Sequence, residues 1–341
     1  MARASLPARA LWFTAPRTAE LRPESIPPPG EGEVRVLTLC SAISRGTEML
    51  VYRGEVAPEL PLDLPTLVGS YAFPIKYGYA AVGRVLDAGP GAEEFSAGDV
   101  VFALHPHQSA FIVPAALVVR LPDGLDPVLG TFFANLETAL NVVHDTPLRL
   151  GETVAVFGQG VVGLLVTQLL RLAGAGCVIS VDPFAARRDL SERLGAHHAL
   201  APEELPERVT ELTGGRGADV AIEASGAPAA LGAAVECVAG EGTVVVASWY
   251  GSKPASLPLG GRFHRGRVRL RSSQVGSIAP ELSARWDRRR RARTVLDLMT
   301  RLRLEEMVSC RLPFERAPQA YRMLDVGAEE ALQVIFKYGE G

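Results

Sequence analysis

Residues Glu33 to Leu39 alternate between apolar and polar side chains, the period-two pattern of a strand with one face buried. Ala80 to Leu86 and Asp99 to Leu104 repeat that style between turns rich in glycine and proline, and Phe111 to Val113 and Leu117 to Val119 follow. Short strands at this spacing predict a compact, barrel-like domain up to about Pro122. After Pro127 the period changes, with apolar residues at helical spacing from Val128 to Val143. From there strands and helices alternate. The predicted strands are Thr153 to Phe157, Cys177 to Val181, Asp219 to Glu223, Gly242 to Ser248 and Val268 to Ser273. Helices are predicted from Val161 to about Ala173, Ala185 to Leu194 and Pro228 to Val238. That alternation implies right-handed crossovers and a parallel sheet with both faces covered. The tail from Pro280 carries two helical stretches and a closing strand, Gln333 to Lys337, expected to return to the first domain. The predicted class is α/β: a doubly wound parallel sheet over residues 128–276, and a β-rich domain over 1–127 completed by 277–341.

Composition narrows the class. A chain of 341 residues exceeds one ordinary core, and 48% hydrophobic with 21% charged residues is a globular balance. A net charge of −3 argues against nucleic acid as a partner. The basic start, Met1 to Arg9, is interrupted by proline and arginine and does not read as a signal peptide. No apolar run reaches the roughly 18–20 residues that a bilayer span needs, so a cytoplasmic protein with no membrane partner is expected. Cys40, Cys177, Cys237 and Cys310 stand apart, with no Cys-x-x-Cys pair, so neither a disulfide framework nor a structural zinc site is expected.

The densest chemical signal is Val154-Ala155-Val156-Phe157-Gly158-Gln159-Gly160-Val161-Val162-Gly163. An apolar strand precedes the three glycines, an apolar helix follows, and Asp182 lies at the end of the next strand. In such a turn the first glycine allows the tight reversal, the second lets a pyrophosphate approach the backbone, and the third lets helix and strand lie close. The helix N-terminus offers N–H groups and a positive dipole end to phosphates. Asp182 would accept from the adenosine ribose hydroxyls and repel a 2′-phosphate, which favours NAD; Arg187 and Arg188 leave NADP as the alternative. The cofactor-binding candidates are Gly158, Gln159, Gly160, Val161, Val162, Gly163, Asp182, Arg187, Ala224, Ser225, Ala247 and Ser248.

This arrangement, mid-chain behind a β-rich domain, resembles the medium-chain dehydrogenase/reductase superfamily over essentially the whole chain. Gly98-Asp99-Val100-Val101, Gly151-Glu152-Thr153-Val154 and the segment from Gly214 to Gly226 are similar to its motifs. The resemblance implies a GroES-like catalytic domain beside the Rossmann domain, with substrate in the cleft between them. The departures matter as much. Where zinc-dependent relatives have a Cys-Gly-Thr-Asp type motif, this chain reads Ile43-Ser44-Arg45-Gly46-Thr47-Glu48. Where they have Gly-His-Glu, it reads Gly78-Tyr79-Ala80. The third ligand region, Phe133 to Leu140, has no cysteine, and the four-cysteine lobe is missing. The resemblance therefore implies a zinc-independent member with no metal ligands, and the Ser-x-Gly-Thr-Glu segment is locally similar to the bacteriochlorophyllide 3-hydroxyethyl dehydrogenases.

Without zinc, a hydrogen-bond donor must stabilise the oxygen that gains charge and supply its proton. Tyr79 holds the vacated ligand position, with space filling as its bland alternative. Lys76 is expected to lower the Tyr79 pKa. Thr47 corresponds to a hydroxyl that touches substrate in relatives, or else closes a turn on the backbone. Glu48 is expected to pair with Arg45. His105 and His107 follow a strand end; His105 is the acid–base candidate, set against a solvated loop histidine. The run Arg288 to Arg291 reads as a solvated helix face, while Arg267, Arg269 or Arg271 turned inward would indicate an anionic substrate. The expected activity is hydride transfer between NAD(H) and an alcohol or carbonyl of a small molecule. The alternatives are reduction of activated C=C bonds and a non-catalytic nucleotide-binding sensor. The resemblance implies a homodimer paired through the last Rossmann strand, Val268 to Ser273, with the alternative that its arginines blunt this edge and prevent pairing.

Overall fold

The computed structural model describes residues 4–62, 64–67, 69–327 and 330–339. The chain divides into two compact units, Met1–Ala134 with Met307–Gly341, and Asn135–Glu306. Its strands in chain order begin with β1 (Leu6–Ala15), β2 (Thr18–Ile26), β3 (Glu33–Ile43), β4 (Ala81–Ala88), β5 (Val100–Ala103), β6 (Ala110–Pro114) and β7 (Val118–Arg120). The second unit contains β8 (Thr153–Phe157), β9 (Cys177–Val181), β10 (His198–Leu200), β11 (Ala218–Glu223), β12 (Val238–Val246) and β13 (Arg269–Ser272). The chain then re-enters the first unit with β14 (Val308–Pro313) and β15 (Gln333–Lys337).

In the first unit, β14-β15-β3-β4-β5-β7 form one sheet, with β6 also paired to β3. The closing strand does return there: β15 runs antiparallel to β3, with Val334 opposite Ile43. β1 and β2 make a separate hairpin that the sequence pattern had not predicted. β3 is longer than the predicted strand and most of it is buried on both faces, because β15, β4 and β6 all lean on it. Phe13, Tyr52, Tyr77, Phe314, Tyr321 and Phe336 close one core of this unit, and Val34, Val36, Val85, Val101 and Phe111 another.

The second unit is a six-stranded parallel sheet in the order β10-β9-β8-β11-β12-β13. Counted from β8 this is the order 3-2-1-4-5-6 of the doubly wound dinucleotide-binding fold, with the switch point between β9 and β11 at the end of β8. Ala155, Phe157, Ile179, Val181, Ala221 and Val244 are buried, as strands covered on both faces require. β10 and the helix Leu205–Leu212 were not legible as periods, being only a few residues long. The helix Arg288–Met299 also belongs to this unit, whereas the sequence reading grouped residues 277–341 with the first. Asp287 caps it by accepting from Arg290 N–H at 2.6 Å. Arg291, 3% exposed, turns inward to Glu137 at 3.0 Å and Asn141 at 2.9 Å. The run Arg288 to Arg291 is therefore not a uniformly solvated face.

Candidate nucleotide site and hydroxyl cluster

The glycine turn follows β8 as expected, and the helix Val161–Leu172 starts directly behind it. Gly158 has φ +88°, and a Cβ there would lie 2.7 Å from the Cα of Ser225. A Cβ on Gly163 would stand 1.8 Å from the Gly158 carbonyl oxygen, which no side chain tolerates. Around Gly160 the space is open, with nothing within 4 Å of the same position. Two glycines thus serve packing, while the third leaves the helix N-terminus bare for a phosphate.

Asp182 is at the end of β9, but its first task is local. Its carboxylate, 2% exposed, accepts from Gln159 N–H at 2.7 Å and Phe184 N–H at 2.9 Å, tying the glycine turn to the neighbouring strand. Each oxygen retains a second lone pair for a ribose hydroxyl. Arg187 stacks on the Phe184 ring and comes within 3.7 Å of Asp182, whereas Arg188 donates to the carbonyls of Asp182 and Pro183, both at 2.9 Å.

On the other side of β8, Glu223 ends β11 fully buried. Its Oε1 accepts from Ser225 N–H at 2.7 Å, Ser225 Oγ at 2.6 Å and Gly226 N–H at 2.9 Å; its Oε2 accepts from Tyr250 Oη at 2.9 Å. This carboxylate shapes the loop of Ala224 and Ser225, and Ser248 joins the same strand ends by donating to the Glu223 carbonyl at 3.4 Å. Ala247 N–H donates to that carbonyl at 2.8 Å, so the candidates after β11 and β12 do converge. Sequence reading had placed Glu223 in a motif without giving it this role.

The first unit brings together a different cluster. Ser44 follows β3, Thr47 opens the helix Thr47–Arg53, and Tyr79 precedes β4. The Tyr79 hydroxyl donates to Ser44 Oγ. Burial pushes the Tyr79 phenol well up from its ordinary value, the Glu48 carboxylate adds to the rise, and hydrogen bonding with Ser44 and Thr47 pulls against it. The expected lowering by Lys76 is corrected: the Lys76 ammonium pairs with Glu24 at 3.0 Å and Gln108 at 3.3 Å, and it sits over the Trp12 ring.

His105 also departs from expectation. It is 8% exposed, stacks on Phe111 with ring centroids 3.9 Å apart, and burial pushes its pKa down to about 3. An imidazole in that state is neutral near pH 7 and lacks the acidic imidazolium proton, its remaining N–H facing the Pro106 carbonyl at 3.0 Å, and it is not a solvated loop residue. Nor does Glu48 pair with Arg45, whose guanidinium donates to the Ala331 carbonyl. Glu48 instead meets His107 Nε2 at 2.9 Å. Arg267 and Arg269 both pair with Glu241, and Arg271 pairs with Asp145 and Glu281. These partners already neutralise the three arginines proposed to hold an anion.

A zinc ion needs three or four nitrogen, sulfur or carboxylate ligands in a tight cluster. Among the described residues no three His, Cys, Asp or Glu side chains stand close enough to hold one. At the position of interest the side chains are Tyr79, Ser44 and Thr47, and the nearby Glu48 and His107 satisfy one another. These residues do not fit the ion.

A 3-2-1-4-5-6 sheet with a bare helix N-terminus at its switch point defines a dinucleotide-binding dehydrogenase fold. The family model described as zinc-binding dehydrogenase matches residues 161–299, a span within the second unit. The chain is similar to the medium-chain dehydrogenase/reductase superfamily, the alcohol dehydrogenase-like oxidoreductases. It is 27% identical to D-guloside 3-dehydrogenase of Escherichia coli K12, over 95% of this chain and 98% of that one. The crystal structure of 2R,3R-butanediol dehydrogenase from Bacillus subtilis has a TM-score of 0.81 at 21% identity, covering 97% of this chain and 99% of that chain. An alcohol dehydrogenase from Escherichia coli CFT073 complexed with NADH has a TM-score of 0.79 at 18% identity, with coverage of 97% and 99%. Among the described residues no helix is long and apolar enough to cross a membrane.

Proposed function

We propose that this chain is a zinc-independent, NAD(H)-dependent oxidoreductase acting between an alcohol and its carbonyl form. The observation that carries this reading is the hydroxyl cluster of Tyr79, Ser44 and Thr47 at the position where the metal would be held. Bound NAD(H) would supply or accept the hydride at its nicotinamide. Gly160 and the start of the helix Val161–Leu172 would meet its phosphates, Asp182 its ribose, and Ala224, Ser225, Ala247 and Ser248 the end of the sheet beside it. Arg187, next to Asp182, is the residue that would meet a 2′-phosphate, so NADP(H) is the alternative cofactor.

Carbonyl reduction builds negative charge on oxygen and consumes a proton. The Tyr79 phenol is protonated at neutral pH and its O–H, now directed at Ser44, can donate to a developing oxyanion; the rise in its pKa makes it a weaker acid than a free phenol, so its proton would pass only to an oxygen that has gained full negative charge. Ser44 and Thr47 are further donors to the same oxygen, which makes them oxyanion partners. The relatives' names carry a guloside and a butanediol, which supports a small hydroxy compound as substrate. We also propose a cytoplasmic homodimer joined at β13, an edge strand whose Leu270 is 39% exposed.

The test is NADH oxidation with a ketone and, separately, with an enone. Ketone turnover is expected; turnover of the enone alone would replace this reading with C=C reduction, and NADH binding without turnover of either would indicate a sensor. In Tyr79→Phe, kcat should fall about 100-fold, the low end of general acid catalysis, while NADH affinity holds. An unchanged kcat would remove Tyr79 from the chemistry.

A further inference from the structure

Glu48 has no exposed surface, and neither has the His107 side chain beside it. Burying a carboxylate is costly unless its oxygens meet hydrogen-bond donors, and an apolar residue often serves stability better. Glu48 has such donors. Its Oε1 accepts from Ser44 N–H at 3.0 Å, and its Oε2 accepts from Tyr321 Oη at 2.5 Å and meets His107 Nε2 at 2.9 Å. His107 Nδ1 in turn lies 2.7 Å from Ser41 Oγ, which lies 2.8 Å from Tyr338 Oη.

Segments of the first unit thus join in one chain of hydrogen bonds: Ser44, His107 and Tyr321 meet Glu48 directly, and Ser41 of β3 and Tyr338, just after β15, extend the chain through His107. The network reaches the hydroxyl cluster through Ser44, whose backbone N–H donates to Glu48 and whose hydroxyl accepts from the Tyr79 O–H. Ser44 lies in the short link between β3 and the helix Thr47–Arg53, where its carbonyl accepts from Glu48 N–H at 3.2 Å and its own N–H donates to the Glu48 carboxylate, so that the side chain closes the second half of the turn.

We propose that Glu48, clamped by His107 and Tyr321, is a positioning residue that fixes the Ser44 backbone and so holds the Ser44 hydroxyl against Tyr79 in the geometry that receives the substrate oxygen. This rests on the Tyr79 reading above.

A double-mutant cycle tests it. Glu48→Gln preserves shape but cannot accept from Ser44 N–H and from the donors on the other oxygen together. In the wild-type background, kcat for ketone reduction should fall about tenfold, a fraction of what the acid itself contributes, with KM for NADH unchanged. In the Tyr79→Phe background the same substitution should change kcat less than about twofold, because its effect passes through Tyr79. Equal losses in both backgrounds, or none in the wild type, would overturn the proposal while leaving Tyr79 in place. Full activity of Tyr79→Phe alone would overturn the Tyr79 reading first and the Glu48 proposal with it. Should Glu48→Gln not fold, Tyr321→Phe removes a single donor; a loss of about threefold in the wild type and none beside Tyr79→Phe is expected, and the same contrary results decide.

Discussion

Glu48 in the first unit and Glu223 in the second are both completely buried, yet they are satisfied in opposite ways. Glu223 takes its donors from Ser225 and Gly226, two and three residues along the chain, with Tyr250 joining from 27 residues away. Glu48 takes two of its donors from His107 and Tyr321, 59 and 273 residues distant. The loop after β11 is therefore shaped largely by neighbouring backbone, while the glycine turn beside it also draws on Asp182 from the next strand and on the close approach of Ser225. The hydroxyl cluster exists only when the whole first unit has folded. The two sites should respond differently to substitution.

The largest contrast is expected inside the glycine turn. Gly163→Val forces a side chain onto the Gly158 carbonyl, 1.8 Å from where its Cβ must be, and should destabilise the protein by about 3 kcal/mol or more. Gly160→Ala, with nothing within 4 Å, should melt like the wild type while NADH affinity falls about tenfold or more, since only the phosphate approach is obstructed. Thermal melts and NADH fluorescence titrations read both, and equal destabilisation by the two would break the division of labour described for this turn.

A smaller effect separates the units by pH. Burial brings His105 from 6.5 down to about 3, so below about 6.5 the unfolded chain binds a proton that the folded one refuses. The stability owed to neutral His105 is whole above about pH 6.5 and is lost as pH falls toward 3. His105→Phe should flatten the acid limb of Tm against pH and leave the kcat profile between pH 5 and 8 unchanged. A kcat limb that disappears with His105 would restore it as an acid–base group. The smallest effect is expected at Lys76, whose partly exposed pair with Glu24 is worth at most about 1 kcal/mol. Lys76→Met should leave kcat within about twofold, and a tenfold loss would return Lys76 to the chemistry.

The same contrast explains what could be read from the sequence. The turn from Phe157 to Gly163, the alternation of strands and helices, and the return of β15 are local or periodic signals, and each was legible. Asp182 and Arg187 were singled out by their distance from the turn, and the structure sets them 3.7 Å apart; the bracing of Gln159 by Asp182 had no signal in the sequence. The pairing of Glu48 with His107 was missed because no spacing links them. Arg45, three residues before Glu48, was the nearer guess, and proximity along the chain misled. Lys76 and His105 failed for a related reason: three residues from Tyr79, Lys76 turns to Glu24, and His105 lies flat on Phe111. Side-chain direction at strand ends is set by tertiary packing, which one sequence does not display.

The account depends most on hydroxyl donors replacing a metal at Tyr79. The direct measurement is the rate of ketone reduction by NADH after exhaustive dialysis against a chelator, with zinc content determined on the same sample. The expected result is an undiminished rate at well under one zinc per chain. A rate lost with the metal and restored by added zinc would contradict it.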